Sequence, residues 1–259
     1  MKNRIIVIDI GNTNLVIGIY DNDRLISSWR IHTDKNRTED EYFVVVSSLL
    51  FSIKEEIENI AIVVISSVVP QLNKIMQRMV DKHFDCNIEI VNANTELGLK
   101  FLTPDHGFIG ADLIVSAYAS LKKYGTNTIV CDLGTATTVQ LTGADGTFYG
   151  ASIIPGVISS STSLFEKAAL IADIKLTKPT SILGTNTKDA LLSGIINGHA
   201  FILDGFIRRI KSEYNLKDYK IIATGGIADL ICSCSEEVEV VDQSLILDGL
   251  YLIGKKTLK

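Results

Sequence analysis

Two turns of one design constrain this chain more than any other feature. Ile5 to Ile8 is an apolar, β-branched run that reads as a strand buried on both faces. It ends in Asp9-Ile10-Gly11-Asn12-Thr13-Asn14, and Leu15 to Tyr20 then resumes strand character. In the second half, Ile129 to Cys131 leads into Asp132-Leu133-Gly134-Thr135-Ala136-Thr137-Thr138, and Val139 to Leu141 continues as strand. A carboxylate at the carboxyl end of a strand is costly to bury without a cation or donors beside it. A glycine two residues on lets the backbone approach a bulky anion, and the flanking amides and hydroxyls can donate to it. One such turn alone reads equally well as an ordinary Asx-rich turn. Two copies, each closing a strand in its own half, suggest an internal duplication and a pair of turns gripping one polyphosphate. The expectation is a nucleotide cleft.

The rest of the chain fits a repeated α/β plan. Arg24 to Ile31 reads as a third strand after the Asp21-Asn22-Asp23 turn, and Thr38 with Glu41 makes a capping box. The helix it opens carries Phe43, Val46, Leu50 and Ile53 at helical spacing. Ile60 to Ser66 is a buried strand, and Pro70 stands where a helix start tolerates it. Residues 92–109 read as a long loop, a length that points to function. Gly110-Ala111-Asp112-Leu113 then opens a helix that ends near Gly125. In the second half a strand over Thr147 to Ile154, helices over Ser159 to Ala172 and from Thr187, and a strand at Ile221 to Ala223 follow. That strand runs into Thr224-Gly225-Gly226, and Val238 to Val241 and a helix from Leu245 close the chain. Both halves have the order strand–strand–strand–helix–strand–helix–strand. The expected class is α/β: a duplicated ribonuclease-H-like (actin-like ATPase) fold with mixed sheets flanked by helices, its lobes at 1–124 and 125–259.

Composition excludes several alternatives. A net charge of −5, with no Lys/Arg run beside interleaved aromatics, argues against a dedicated nucleic-acid surface. The apolar stretches read as too short or too punctuated to span a bilayer, and a cytoplasmic address is the expectation. Cys86, Cys131, Cys232 and Cys234 are too scattered for a disulfide framework and read as reduced structural thiols. Of the histidines, only His106, in a Gly-flanked loop, reads as placed for a site.

With both turns, Gly110-Ala111-Asp112 and Thr224-Gly225-Gly226 in view, the chain resembles the type III pantothenate kinases along nearly its full length. The resemblance implies ATP-dependent phosphorylation of pantothenate, the first step toward coenzyme A. It implies a first phosphate loop over Asp9, Ile10, Gly11, Asn12, Thr13, Asn14, Leu15 and Val16, with Asp9 helping to hold Mg²⁺ on ATP. It implies that Asp132 binds a monovalent cation, K⁺ or NH₄⁺, and that Gly134, Thr135, Gly225 and Gly226 meet ATP. Asp112 would be the general base, with Phe101, Gly110, Ala111, Leu113 and Thr187 on the pantothenate side. Members are homodimers with the acceptor site near the interface. The residues alone leave bland readings open, since the helix dipole favours an acid at Asp112 and Thr187 also reads as an N-cap.

Three departures from the family pattern fall on the acceptor side. Leu113 stands where Arg is usual, and an apolar chain cannot replace a guanidinium, so another cation serves or the charge is dispensable. Phe101 stands where a Tyr is expected, and residues 104–109 run about two residues longer than the pattern, with His106 and Lys100 as possible compensation. These departures motivate two alternatives, a kinase for another small hydroxyl compound and a catalytically weakened nucleotide-binding regulator.

Overall fold

The computed structural model describes residues 2–103, 105, 107, 109–167 and 175–259. The strands and helices are β1 (Arg4–Ile10), β2 (Asn14–Asp21), β3 (Arg24–His32), α1 (Glu39–Ser52), β4 (Ile60–Ser67), α2 (Pro70–His83) and β5 (Asn87–Ile90). They continue as β6 (Lys100–Phe101), α3 (Ala111–Tyr124), β7 (Asn127–Leu133), β8 (Ala136–Thr142), β9 (Thr147–Pro155) and α4 (Val157–Lys167). The last are α5 (Thr187–Tyr214), β10 (Tyr219–Thr224), α6 (Ala228–Cys232), β11 (Val240–Val241) and α7 (Leu245–Thr257).

The chain forms two compact units. The first comprises the described residues of Met1–Gly98, Asp105–Ala119 and Ile246–Lys259, and the second those of Leu99–Pro104 and Ser120–Leu245. A single boundary at 124/125 divides the chain differently, because α7 returns to the first unit. There Tyr251 stacks on Tyr20 of β2 at 4.5 Å between ring centroids, and the Tyr20 hydroxyl donates to Asp248 at 2.5 Å.

In the first unit the sheet order is β3-β2-β1-β4-β5. β1, β2 and β3 pair as an antiparallel meander, while β4 and β5 run parallel to β1. Alternation along β1 sends Ile6, Ile8 and Ile10 into a core shared with Tyr42, Val46 and Leu50 of α1 and with Leu72, Met76 and Met79 of α2. The capping box forms as read: Glu41 N–H donates to Thr38 Oγ1 at 3.3 Å, and Thr38 N–H donates to Glu41 Oε2 at 2.7 Å. Pro70 occupies the first turn of α2, where its missing donor leaves nothing unsatisfied.

The second unit repeats that order as β11-β10-β7-β8-β9, with β6 added beyond β9. Its meander is β7-β8-β9, and β10 and β11 continue parallel to β7. Ile129, Cys131, Leu133, Val139 and Leu141 pack on Ile195, Ile196, Ala200, Leu203 and Ile207 of α5. β6 corrects the reading of 92–109 as wholly irregular: Lys100 and Phe101 pair in parallel with Thr147 and Phe148. Two residues are too few to carry a periodic signal. Of the expected helix over Ser159 to Ala172, the observed α4 starts at Val157, and residues 168–172 lie outside the described residues, as does His106.

A second correction concerns α5. It is long and apolar enough to cross a membrane by length and composition, contrary to the expectation that no stretch is, yet half of its most apolar window is buried inside the second unit. That is the signature of a core helix. Burial pushes the Cys86 thiol up to about 11 and the Cys232 thiol up to about 12, far from the thiolate form at neutral pH.

Candidate active site

In the first unit, the first turn hangs from the carboxyl end of β1. Strand register sets Asp9 beside Val16 of β2 and Ser66 of β4. Ile10 and Leu15 are fully buried, so of the expected phosphate loop these two offer only backbone, while Asn12 and Thr13 are exposed. Gly11 N–H donates to Asn14 O at 3.0 Å, and Val68 N–H donates to Ile10 O at 3.0 Å. Ser66 is completely buried, and its Oγ has no hydrogen-bond partner among the described residues. Ser66→Ala is therefore expected to hold or raise stability, since no bond is lost with the hydroxyl. A loss above about 1 kcal/mol on chemical denaturation would mean that this oxygen is bonded in solution.

Asp112 lies in the first turn of α3 in the same unit. Its Oδ1 accepts from Leu113 N–H at 2.9 Å, and burial raises its pKa above the ordinary carboxylate value against that stabilising bond. The sequence explains how a carboxylate fits here. A Cβ on Gly110 would run into Asp112 Oδ1, and it would meet Val68 Cγ1 at 3.6 Å. Val68 thus links both parts: its N–H holds the end of β1 and its side chain flanks the space at Gly110. Ala111 and Leu113 are buried, Leu113 at 6% exposure.

In the second unit the other turn has the same construction. Asp132 pairs with Thr138 of β8 and Thr224 of β10, and Gly134 N–H donates to Ala136 O at 3.1 Å. Gly134 and Thr135 are exposed, and Ser159 Oγ donates to Thr135 O at 3.1 Å. Gly225 lies against this turn at φ +101°. A Cβ there would stand 2.5 Å from Leu133 O and 2.8 Å from Asp132 Oδ1, so only glycine lets the β10–α6 connection close on the Asp-x-Gly segment. Gly226 next to it is exposed.

The other residues expected on the acceptor side, Phe101 and Thr187, belong to the second unit. Thr187 is the exposed first residue of α5, and the cap is Asn186, whose side chain accepts from Asp189 N–H at 3.0 Å. The N-cap reading of Thr187 is thereby replaced. Phe101 packs edge-on against Phe148 at 5.8 Å between ring centroids. Lys100 pairs with Asp145 at 3.7 Å. Thr33 joins the first turn, a contact that sequence reasoning missed. It donates through both its N–H and its hydroxyl to carbonyls of the first turn, and only the register of β3 reveals this.

Among the described residues, no three His, Cys, Asp or Glu side chains gather into a cluster able to hold a metal alone. Single carboxylates at strand ends suit a magnesium ion that takes most of its ligands from phosphates and water.

Two sheets of the same 3-2-1-4-5 order, each with an Asp-x-Gly turn ending its first strand, define a protein of the duplicated actin-like class. Solved structures share this fold. The ROK family glucokinase of Streptomyces griseus, in complex with glucose and AMPPNP, superposes with a TM-score of 0.55 over 99% of each chain at 12% identity. Component A of the (R)-2-hydroxyglutaryl-CoA dehydratase of Acidaminococcus fermentans gives 0.58 over 99% of this chain and 100% of that one, at 17% identity. Within the class, the chain belongs to the type III pantothenate kinase family, whose profile matches residues 5–209. The type III pantothenate kinase of Brevibacillus brevis is 41% identical over 97% of this chain and 98% of its own.

Proposed function

We propose the following division of labour for the family's reaction, transfer of the γ-phosphoryl group of ATP to the primary hydroxyl of pantothenate. Asp112 accepts the hydroxyl proton as the oxygen attacks the γ-phosphorus, the bond to the β,γ-bridging oxygen breaks, and ADP leaves. The observation that carries this is the buried, proton-attracting carboxylate of Asp112, for which Gly110 leaves room. A base with a raised pKa takes up a proton more readily than a solvated carboxylate.

The first turn, through Asp9, Gly11, Asn12, Thr13 and Asn14 and the backbone of Ile10, Leu15 and Val16, binds the ATP phosphates. Asp9 helps to hold Mg²⁺, which when bound offsets charge on the phosphates. Asp132 takes K⁺ or NH₄⁺, and Gly134, Thr135, Gly225 and Gly226 contact ATP. Gly110, Ala111, Leu113, Phe101 and Thr187 line the acceptor side. Neither Asp-x-Gly turn carries a Lys or Arg, so cations supply the charge that such side chains supply elsewhere. The chain works as a cytoplasmic homodimer. In support, among the described residues nothing lies within 4 Å of where a Cβ would be on Gly194, Gly198 and Gly205 of α5, and the neighbouring Phe201 and Ile202 are exposed.

The test is ADP release coupled to a reporter, with pantothenate, Mg²⁺ and K⁺. Turnover that needs pantothenate and a monovalent cation is expected. Turnover with another hydroxyl compound only, or ATP binding without turnover, would favour the redirected kinase or the regulator.

A further inference from the structure

β3 ends at His32, and the next residue, Thr33, is buried against the first turn. Its hydroxyl donates to Gly11 O at 2.7 Å, and its N–H donates to Thr13 O at 2.9 Å. One residue thus grips two alternate carbonyls of a turn whose next peptide bonds begin at Asn12 and Asn14. A peptide unit is planar and trans, so the C=O of one residue and the N–H of the next point in opposite directions. Holding Gly11 O on Thr33 therefore turns the Asn12 N–H away from Thr33, and the bond to Thr13 O turns the Asn14 N–H away from β3, to the side on which Asn14 O accepts from Gly11 N–H. An exposed amide fixed in this way, as at Asn12, can donate to an anion without any cationic side chain. Asn12 and Thr13 are exposed, and the buried Thr33 holds the turn in one shape before ligand arrives.

We propose that Thr33 is a positioning residue for ATP: it presets the first turn's amides for the phosphates and makes no contact with substrate itself. This rests on the reading that the first turn binds ATP, and the controls separate the two. Three variants are compared, Thr33→Val, which keeps the shape and removes the hydroxyl, Thr33→Ser, which restores it, and Asp9→Asn. Each is measured by calorimetric titration with Mg·ADP and by steady-state kinetics with ATP and pantothenate varied in turn.

One net hydrogen bond corresponds to about three- to tenfold in binding. Thr33→Val is expected to weaken Mg·ADP binding and raise the KM for ATP by about that factor, with the KM for pantothenate unchanged, and Thr33→Ser to restore both. Nucleotide binding unchanged in Thr33→Val but weakened in Asp9→Asn would overturn the role of Thr33 alone. Nucleotide binding unchanged in Asp9→Asn would overturn the reading of the turn. A fall in unfolding temperature with both KM values rising together, and no rescue by Ser, would make Thr33 a general structural residue and also overturn the proposal.

Discussion

Asp112→Asn is expected to lower kcat by about 10²- to 10⁴-fold, the usual contribution of a positioned base. The KM for ATP should stay close to that of the parent, because the substitution lies outside both Asp-x-Gly turns. The fold should survive, since an amide oxygen can still accept from Leu113 N–H and the change removes a charge from a buried position. The pH dependence gives a second readout. Asp112 acts only when ionised, and burial holds its pKa above the ordinary carboxylate value. The kcat/KM of the parent therefore falls as pH drops through that raised value, while the residual rate of the Asn variant does not. Stability moves the other way. A carboxyl with a raised folded pKa favours the fold fully below its unfolded pKa, and that contribution is lost as pH rises through the folded value. The unfolding temperature of the Asn variant should thus gain on the parent with rising pH across that window. An Asn variant with parental kcat would end the assignment of Asp112 as base.

Gly225→Ala should have the largest effect on stability. The added Cβ meets a backbone oxygen at 2.5 Å and the Asp132 carboxylate at 2.8 Å, at a φ of +101° that side chains avoid. Strain and overlap together are expected to cost about 2–4 kcal/mol by chemical denaturation. Because the overlap falls on Asp132, the variant should also need more K⁺ for half-maximal rate. A variant within about 0.5 kcal/mol of the parent would show that the connection can shift without strain.

Much of this was legible in the chain because it rested on local chemistry. Period-2 and period-3.6 patterns gave β1, β2, β4, α1 and α2, the Thr38–Glu41 pair gave a helix start, and Pro70 gave another. Strand followed by Asp-x-Gly appears twice, and both carboxylates stand at strand ends. What stayed hidden depends on residues far apart in sequence. β6 has two residues and exists through its pairing with β9. The grip of Thr33 on the first turn needs the β2–β3 register, which hydrophobic alternation alone does not set to a single residue. The vacant Cβ position at Gly110 acquires meaning only when the Asp112 carboxylate is seen to fill it.

The return of α7 bears on how the protein is made. Tyr20 waits for Asp248, its partner 228 residues downstream, so the meander that starts the chain leaves the ribosome long before the helix that covers it. The second unit has its whole sequence, through Leu245, available before the first can close. Loss of the α7 turns that carry Asp248 and Tyr251 should therefore leave Tyr20, in the earliest-made sheet, without the helix that covers it.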